Sequence, residues 1–298
     1  MILQKMRRYN FWTRRTALLL AAVCLMLLSS KYFNGRCEYS VNVNPRCVKD
    51  GPVTLDFVPR IRFADCDDFF TRSALINTYN MSDSYWKHYP AFREALGRHS
   101  PLVGHTGIHF KITMAIHYLA SRPTIRTICE TGFNAGHSSF NFLTANSKAI
   151  VHSFDTGYLS SSRAMSSFLK TNFGHRFFIH FGNSVKTLPT FIRMNPEFRC
   201  DLILVDGGHS YDVAYADMRN FLSIVNKSNC ENYILMDGYP QITTLRNDLA
   251  YVWEDMRRNL SVTELMRCSF RHSIWFKTGK PKEQYREGFI IGQFTPEW

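Results

Sequence analysis

The 298 residues are 45% hydrophobic and 20% charged, enough to bury a full core and too varied for a low-complexity or disordered chain. The formal charge of +12 suggests a nucleic-acid partner, but Lys5, Arg7, Arg8, Arg14 and Arg15 all fall in the first fifteen residues. The remainder is spread along the chain as a solvated basic surface, so no nucleic-acid partner is expected.

Residues 1–15 form a basic stub before an uncharged run, Thr16 to Ser30, "TALLLAAVCLMLLSS". A basic stretch followed by such a run is a secretory targeting signal. The run is shorter than the roughly 20 residues a spanning helix prefers, yet flanking Arg15 and Lys31 can snorkel and secretory-pathway membranes are thinner. No small-x-small cleavage site follows: Leu28 stands where a small residue is needed, and Tyr32 and Phe33 come next. An uncleaved signal anchor over 16–30 is therefore expected, with a cleaved signal peptide as the alternative. The anchor makes a single-pass type II membrane protein with everything after it in the lumen, of the Golgi more than the endoplasmic reticulum.

Three glycosylation sequons, at Asn80, Asn226 and Asn259, suit that compartment, as do seven cysteines beyond the anchor. An odd number leaves at least one thiol free or bonded between chains, and Cys129, in an apolar strand, is the candidate for the free one. No CxxC pair is present, so neither a zinc ribbon nor a thioredoxin-type site is indicated.

Residues 31–100 read as a lumenal stem and cap. Within them "SDSYWKHYPAFREAL" suits a helix over a site, its Tyr85, Trp86 and Tyr89 serving either packing or stacking on a sugar face. "IRFADCDDFF" offers Asp65-x-Asp67, a pair that would hold a metal and nucleotide sugar in a lumenal glycosyltransferase. It lies too near the anchor to follow a nucleotide-binding half, and a polar turn with Cys66 in a disulfide is the better reading.

Residues 101–298 form the main domain. A helix over Gly107 to Ala120 precedes strands at Ile125 to Cys129, Ala149 to Phe154, Phe177 to Phe181, Leu202 to Val205 and Tyr233 to Met236, alternating with helices. Short, wholly apolar strands belong to a parallel sheet covered on both faces, hence a doubly wound α/β fold. A helix at Thr243 to Asn259 and two final segments, Val262 to Cys268 and Gly288 to Phe294, predict an antiparallel hairpin closing one sheet edge and bring the strand count to seven.

Glu130, Asp155, Asp206 and Asp237 stand at the ends of four of these strands, where ligands bind in open α/β sheets. One such acid is commonly a turn former; four in register point to a site. After Glu130 the segment Gly132-Phe133-Asn134-Ala135-Gly136 turns sharply into a helix. Its G-x-x-x-G spacing lacks the dinucleotide signature, and Asp155 is placed to accept two ribose hydroxyls, so a nucleoside without a pyrophosphate fits better than NAD.

Glu130-x-Gly132-x-x-x-Gly136-x-Ser138, Asp155, "FGNSVKTLP" and "DLILVDGGHSYDVAYADM" together resemble class I S-adenosylmethionine-dependent methyltransferases, more narrowly the methyltransferase family 24 group, over about Pro101 to Phe294. The resemblance implies a Rossmann-like methyltransferase fold. It implies that Glu130, Gly132, Asn134, Gly136 and Ser138 hold the methionine part of the cofactor, that Asp155 binds its ribose, and that Asn183 and Ser184 lie near the adenine. Asp206 and His209 would serve the chemistry, with His209 as the base for an acceptor hydroxyl. Similar sugar O-methyltransferases bind a divalent metal such as Mg2+ through an aspartate like Asp206 and an acidic pair; here that pair is Asp237-Gly238, one ligand short. The expected activity is O-methyl transfer, and the lumenal location makes a glycan hydroxyl the expected acceptor. A non-catalytic scaffold or binder with the same fold is the remaining alternative. The sequence sets no oligomeric state.

Overall fold

Apolar residues of the central strands divide alternately between two cores. In β4 (Leu202–Val205), Leu202 and Leu204 join one cluster, Ile203 and Val205 the other. β5 (Tyr233–Asp237) does the same, with Tyr233 and Leu235 opposite Ile234 and Met236. A period of two with both faces buried requires helices on both sides of a sheet, and that is the architecture of the computed structural model, which describes residues 81–97, 110–229, 231–238, 248–259, 262–272 and 285–294. The expected signal anchor, Asn80 and the Asp65/Asp67 pair lie outside the described residues. No helix among the described residues is long and apolar enough to cross a membrane.

The remaining elements are α1 (Asp83–Gly97), α2 (Phe110–Ser121), β1 (Thr127–Thr131), α3 (His137–Ala145), β2 (Ile150–Asp155), α4 (Ser160–Phe173), β3 (Phe177–Phe181), α5 (Ser184–Met194), α6 (Tyr211–Ile224), α7 (Asp248–Arg258), β6 (Val262–His272) and β7 (Tyr285–Phe294). The seven strands are ordered β3-β2-β1-β4-β5-β7-β6. β1 to β5 are parallel, while β7 runs antiparallel between β5 and β6. This is the expected doubly wound sheet with its antiparallel hairpin. The order reverses between β1 and β4, which opens a crevice at their C-terminal ends.

Helices α1 to α4 cover the first face, α5 to α7 the second. The predicted cap helix is α1, and it is part of the fold: Phe92 is fully buried and stacks on Phe140 of α3 at 4.3 Å. Tyr85 stacks on Tyr89 at 5.2 Å and meets Phe140, so packing occupies both, whereas Trp86 stays half-exposed.

Cys129 is not a free thiol. It is bonded to Cys200, and both are fully buried. The apolar strand that made Cys129 look inert is the environment a buried disulfide also prefers, and β4 pairing beside β1 carries Cys200 to within 6.0 Å between Cα atoms. Closing a 71-residue separation stabilises the fold by about 4 kcal/mol on chain-entropy grounds. Cys268 is disulfide-bonded as well.

Candidate active site

The site is built where β1 and β4 diverge. Thr131 ends β1 and accepts the N–H of Asp206, so the two strand ends are tied together at 3.0 Å. Gly132 follows with φ +92°, and a Cβ there would lie 1.8 Å from the Asp206 carbonyl oxygen. The glycine is thus required by the neighbouring strand. Gly136 has φ +77°, and a Cβ would meet the Phe133 ring at 2.7 Å. Between them Asn134 is left-handed, at φ 49°. The loop hands the chain to α3, whose first-turn N–H groups have no intrahelical acceptor and face the crevice end of the sheet.

Glu130 has no exposed surface, and Ser138 Oγ donates to its Oε2 at 2.5 Å while Ser139 Oγ donates to Oε1. Burial raises its pKa, against the lowering effect of those hydroxyls. Its carboxylate therefore clamps the start of α3 to β1. Ser139 escaped the sequence reading, although a serine pair eight and nine residues after a buried acid is the pattern that one helical turn would bring onto it.

Asp155 ends β2 half-buried and holds two loops. Its Oδ2 accepts the N–H of Asn134 at 2.9 Å, its Oδ1 that of Gly157 at 2.7 Å. Each oxygen retains a second lone pair for a hydroxyl. Gly182 N–H donates to the Asp155 carbonyl at 2.8 Å, which brings the β3–α5 loop alongside. In that loop Asn183 caps α5, its Oδ1 accepting from Val185 N at 3.0 Å, and Ser184 opens the helix.

Across the crevice, Asp206 shares a hydrogen bond with Asp237 at the end of β5. Burial, then the charge of Glu130, pushes the Asp206 carboxyl up to about 8, with the Asp237 bond acting the other way. Two crowded carboxyls hold one proton between them more easily than two negative charges. His209 Nε2 lies 3.8 Å from Asp206 Oδ1, its side chain 43% exposed against 18% for the aspartate. Gly238 is left-handed at φ +81°, and a Cβ there would come within 2.9 Å of Leu249 and 3.3 Å of the His209 ring. The imidazole lies against the position where metal-binding sugar O-methyltransferases carry a second acidic residue.

Asp217 on α6 is fully buried beside the hydroxyls of Thr131 and Ser184, neither at full hydrogen-bonding geometry. Its Oδ2 would be 3.1 Å from a Cβ at 207, a tight contact under the loop that leads to His209. The structure thus gathers Glu130, Gly132, Asn134, Gly136, Ser138, Asp155, Asn183, Ser184, Asp206, His209 and Asp237 at one edge of the sheet.

The geometry fits S-adenosylmethionine: a carboxylate with spare acceptors at β2, a tight loop and an open helix N-terminus at β1, and a polar cap at α5. Mg2+ fits less well. Asp206 and Asp237 offer two carboxylates, and among the described residues no group of three or more His, Cys, Asp or Glu side chains is arranged to hold a metal.

Residues 129–230 match a family model described as a methyltransferase domain. Among solved structures, the chain is similar to an O-methyltransferase from Bacillus cereus in complex with S-adenosylhomocysteine, with 13% identity, coverage of 74% of this chain and 95% of that one, and a TM-score of 0.54. It is also similar to the O-methyltransferase TomG from Streptomyces achromogenes in complex with S-adenosylmethionine, with 18% identity, 72% and 91% coverage and a TM-score of 0.50. The methyltransferase-domain match covers residues 129–230, and the two solved structures share the fold of this chain. No curated protein matches the sequence.

Proposed function

We propose that this chain is an O-methyltransferase of the secretory-pathway lumen that methylates a glycan hydroxyl. The carrying observation is the placement of His209 beside the Asp206–Asp237 pair, across the β1/β4 crevice from Asp155. When bound, S-adenosylmethionine supplies an electrophilic methyl group. Asp155, the Gly132–Gly136 loop and the Asn183–Ser184 cap would hold it, and the acceptor would enter beside the exposed face of His209. The imidazole takes the hydroxyl proton as the oxygen attacks, and the imidazolium formed lies 3.8 Å from Asp206. Positioning does most of the remaining work. With glycine at 238 in place of a second carboxylate and the His209 ring beside it, proton removal by His209 is favoured over activation of the hydroxyl by a bound cation.

The lumenal reading is supported by the buried Cys129–Cys200 bond and a second bonded cysteine, Cys268, because disulfides persist in oxidising compartments. It is supported also by the targeting run at 16–30, and the acceptor class follows from that location. The test is transfer of labelled methyl from S-adenosylmethionine to a panel of glycans by the detergent-solubilised full chain, with and without Mg2+. His209→Ala should lower kcat by ~10²–10⁴-fold at unchanged S-adenosylhomocysteine affinity. Full turnover in that variant would remove His209 from the role of base.

A further inference from the structure

Two of the three sequon asparagines are described in the structure, and their environments differ sharply. Asn226 is half-buried just after α6, and its Nδ2 donates to Asp201 Oδ1 at 2.8 Å. Asp201 is itself only 3% exposed, and its oxygens also accept from Asn229 Nδ2 at 2.9 Å and from the backbone N–H groups of Arg126 and Thr127 at 2.8 and 2.9 Å. The Asn226 backbone is fixed too, its N–H donating to the Cys200 carbonyl at 2.7 Å. A sugar on this amide would have to leave the protein from an atom that faces a buried carboxylate.

Asn259 is the more exposed of the two. It is exposed in the turn that follows α7, with Ser261 completing its sequon. β5 and β6 both run antiparallel to β7, so α7 returns the chain to the N-terminal edge of the sheet and Asn259 lies at the edge opposite the crevice. A glycan there would not obstruct an acceptor approaching His209.

We propose that Asn259 carries an N-linked glycan and that Asn226, despite its sequon, is a structural ligand of Asp201 and stays unmodified. This rests on the lumenal reading above. The bond formed joins Asn259 Nδ2 to the anomeric carbon of a lipid-diphosphate-linked oligosaccharide supplied by that compartment. The lipid diphosphate leaves and the amide gives up one proton.

The full chain, expressed in cultured animal cells, would be deglycosylated enzymatically in heavy-oxygen water, which marks each formerly occupied asparagine as a labelled aspartate. A parallel sample would be denatured and alkylated without reduction to report the state of Cys129 and Cys200. The expected result is a mark at Asn259, none at Asn226, loss of one mobility step in Ser261→Ala, and no change in mobility or Tm in Ser228→Ala. Asn226→Gln should lower Tm by several degrees, which a mere acceptor site would not. A mark at Asn226 that Ser228→Ala removes would overturn the proposal. So would an unmarked Asn259 in a chain whose Cys129 and Cys200 resist alkylation, and there the lumenal reading would survive. Alkylation of both thiols in the denatured, unreduced chain would instead overturn the lumenal reading, and the proposal with it.

Discussion

Asp201 and Asp206 flank the same short strand and have opposite surroundings. At the N-terminal end of β4, Asp201 is buried and satisfied by four N–H donors: the backbone of Arg126 and Thr127 and the side chains of Asn226 and Asn229. At the C-terminal end, Asp206 is pressed between Glu130 and Asp237, and its carboxyl is raised to about 8. The first arrangement stabilises the fold; the second keeps a carboxyl that resists ionisation where a ligand binds. Perturbed carboxyls collect at functional sites for this reason, whereas a saturated one marks scaffold.

The comparison breaks first if Asp201 proves dispensable. Asp201→Ala strands buried donors at the beginning of β1 and should cost about 3–5 kcal/mol in urea unfolding, while the folded fraction keeps its S-adenosylhomocysteine affinity. Asp206→Asn should act in reverse. Asparagine needs no proton uptake on folding, which is expected to raise stability by about 1–3 kcal/mol at pH 7.5, while methyl transfer falls.

The pH dependence sharpens the same point. Because the folded-state pKa of Asp206 is raised, its contribution is fully present below the unfolded carboxylate value and is lost as pH rises to about 8. Asp206→Asn should therefore flatten the decline in stability between pH 4 and 8 seen by thermal melts. His117 supplies the opposite slope at lower pH. Its Nε2 accepts the Ser82 N–H at 3.0 Å and its Nδ1 lies 2.7 Å from Asn141 Oδ1, so the ring must be neutral, and burial lowers its pKa. Stability held above the unfolded value of about 6.5 should fall by about 1 kcal/mol per unit below it. His117→Gln should remove that slope, and an unchanged slope would assign it elsewhere.

Much of the fold was legible in the chain because it depends on local pattern. Leu202 to Val205 and Tyr233 to Met236 are apolar throughout, and only a sheet buried on both faces accepts such strands. Strand ends marked by Glu130, Asp155, Asp206 and Asp237 likewise located the crevice. What escaped depends on neighbours distant in sequence. Gly132 is required by the Asp206 carbonyl, Glu130 is occupied by Ser138 and Ser139, and Cys129 finds Cys200 only because β4 pairs beside β1. No spacing announces that the His209 ring would lie against Gly238.

The central claim is that the loop after β1 and the carboxylate ending β2 form a cofactor site. Calorimetric titration of the full chain with S-adenosylhomocysteine, beside Asp155→Ala, tests it most directly. Loss of charge-assisted bonds to the ribose should weaken binding by ~10–100-fold in the variant. Equal affinity in the two proteins, or no binding by a folded wild-type chain, would contradict it.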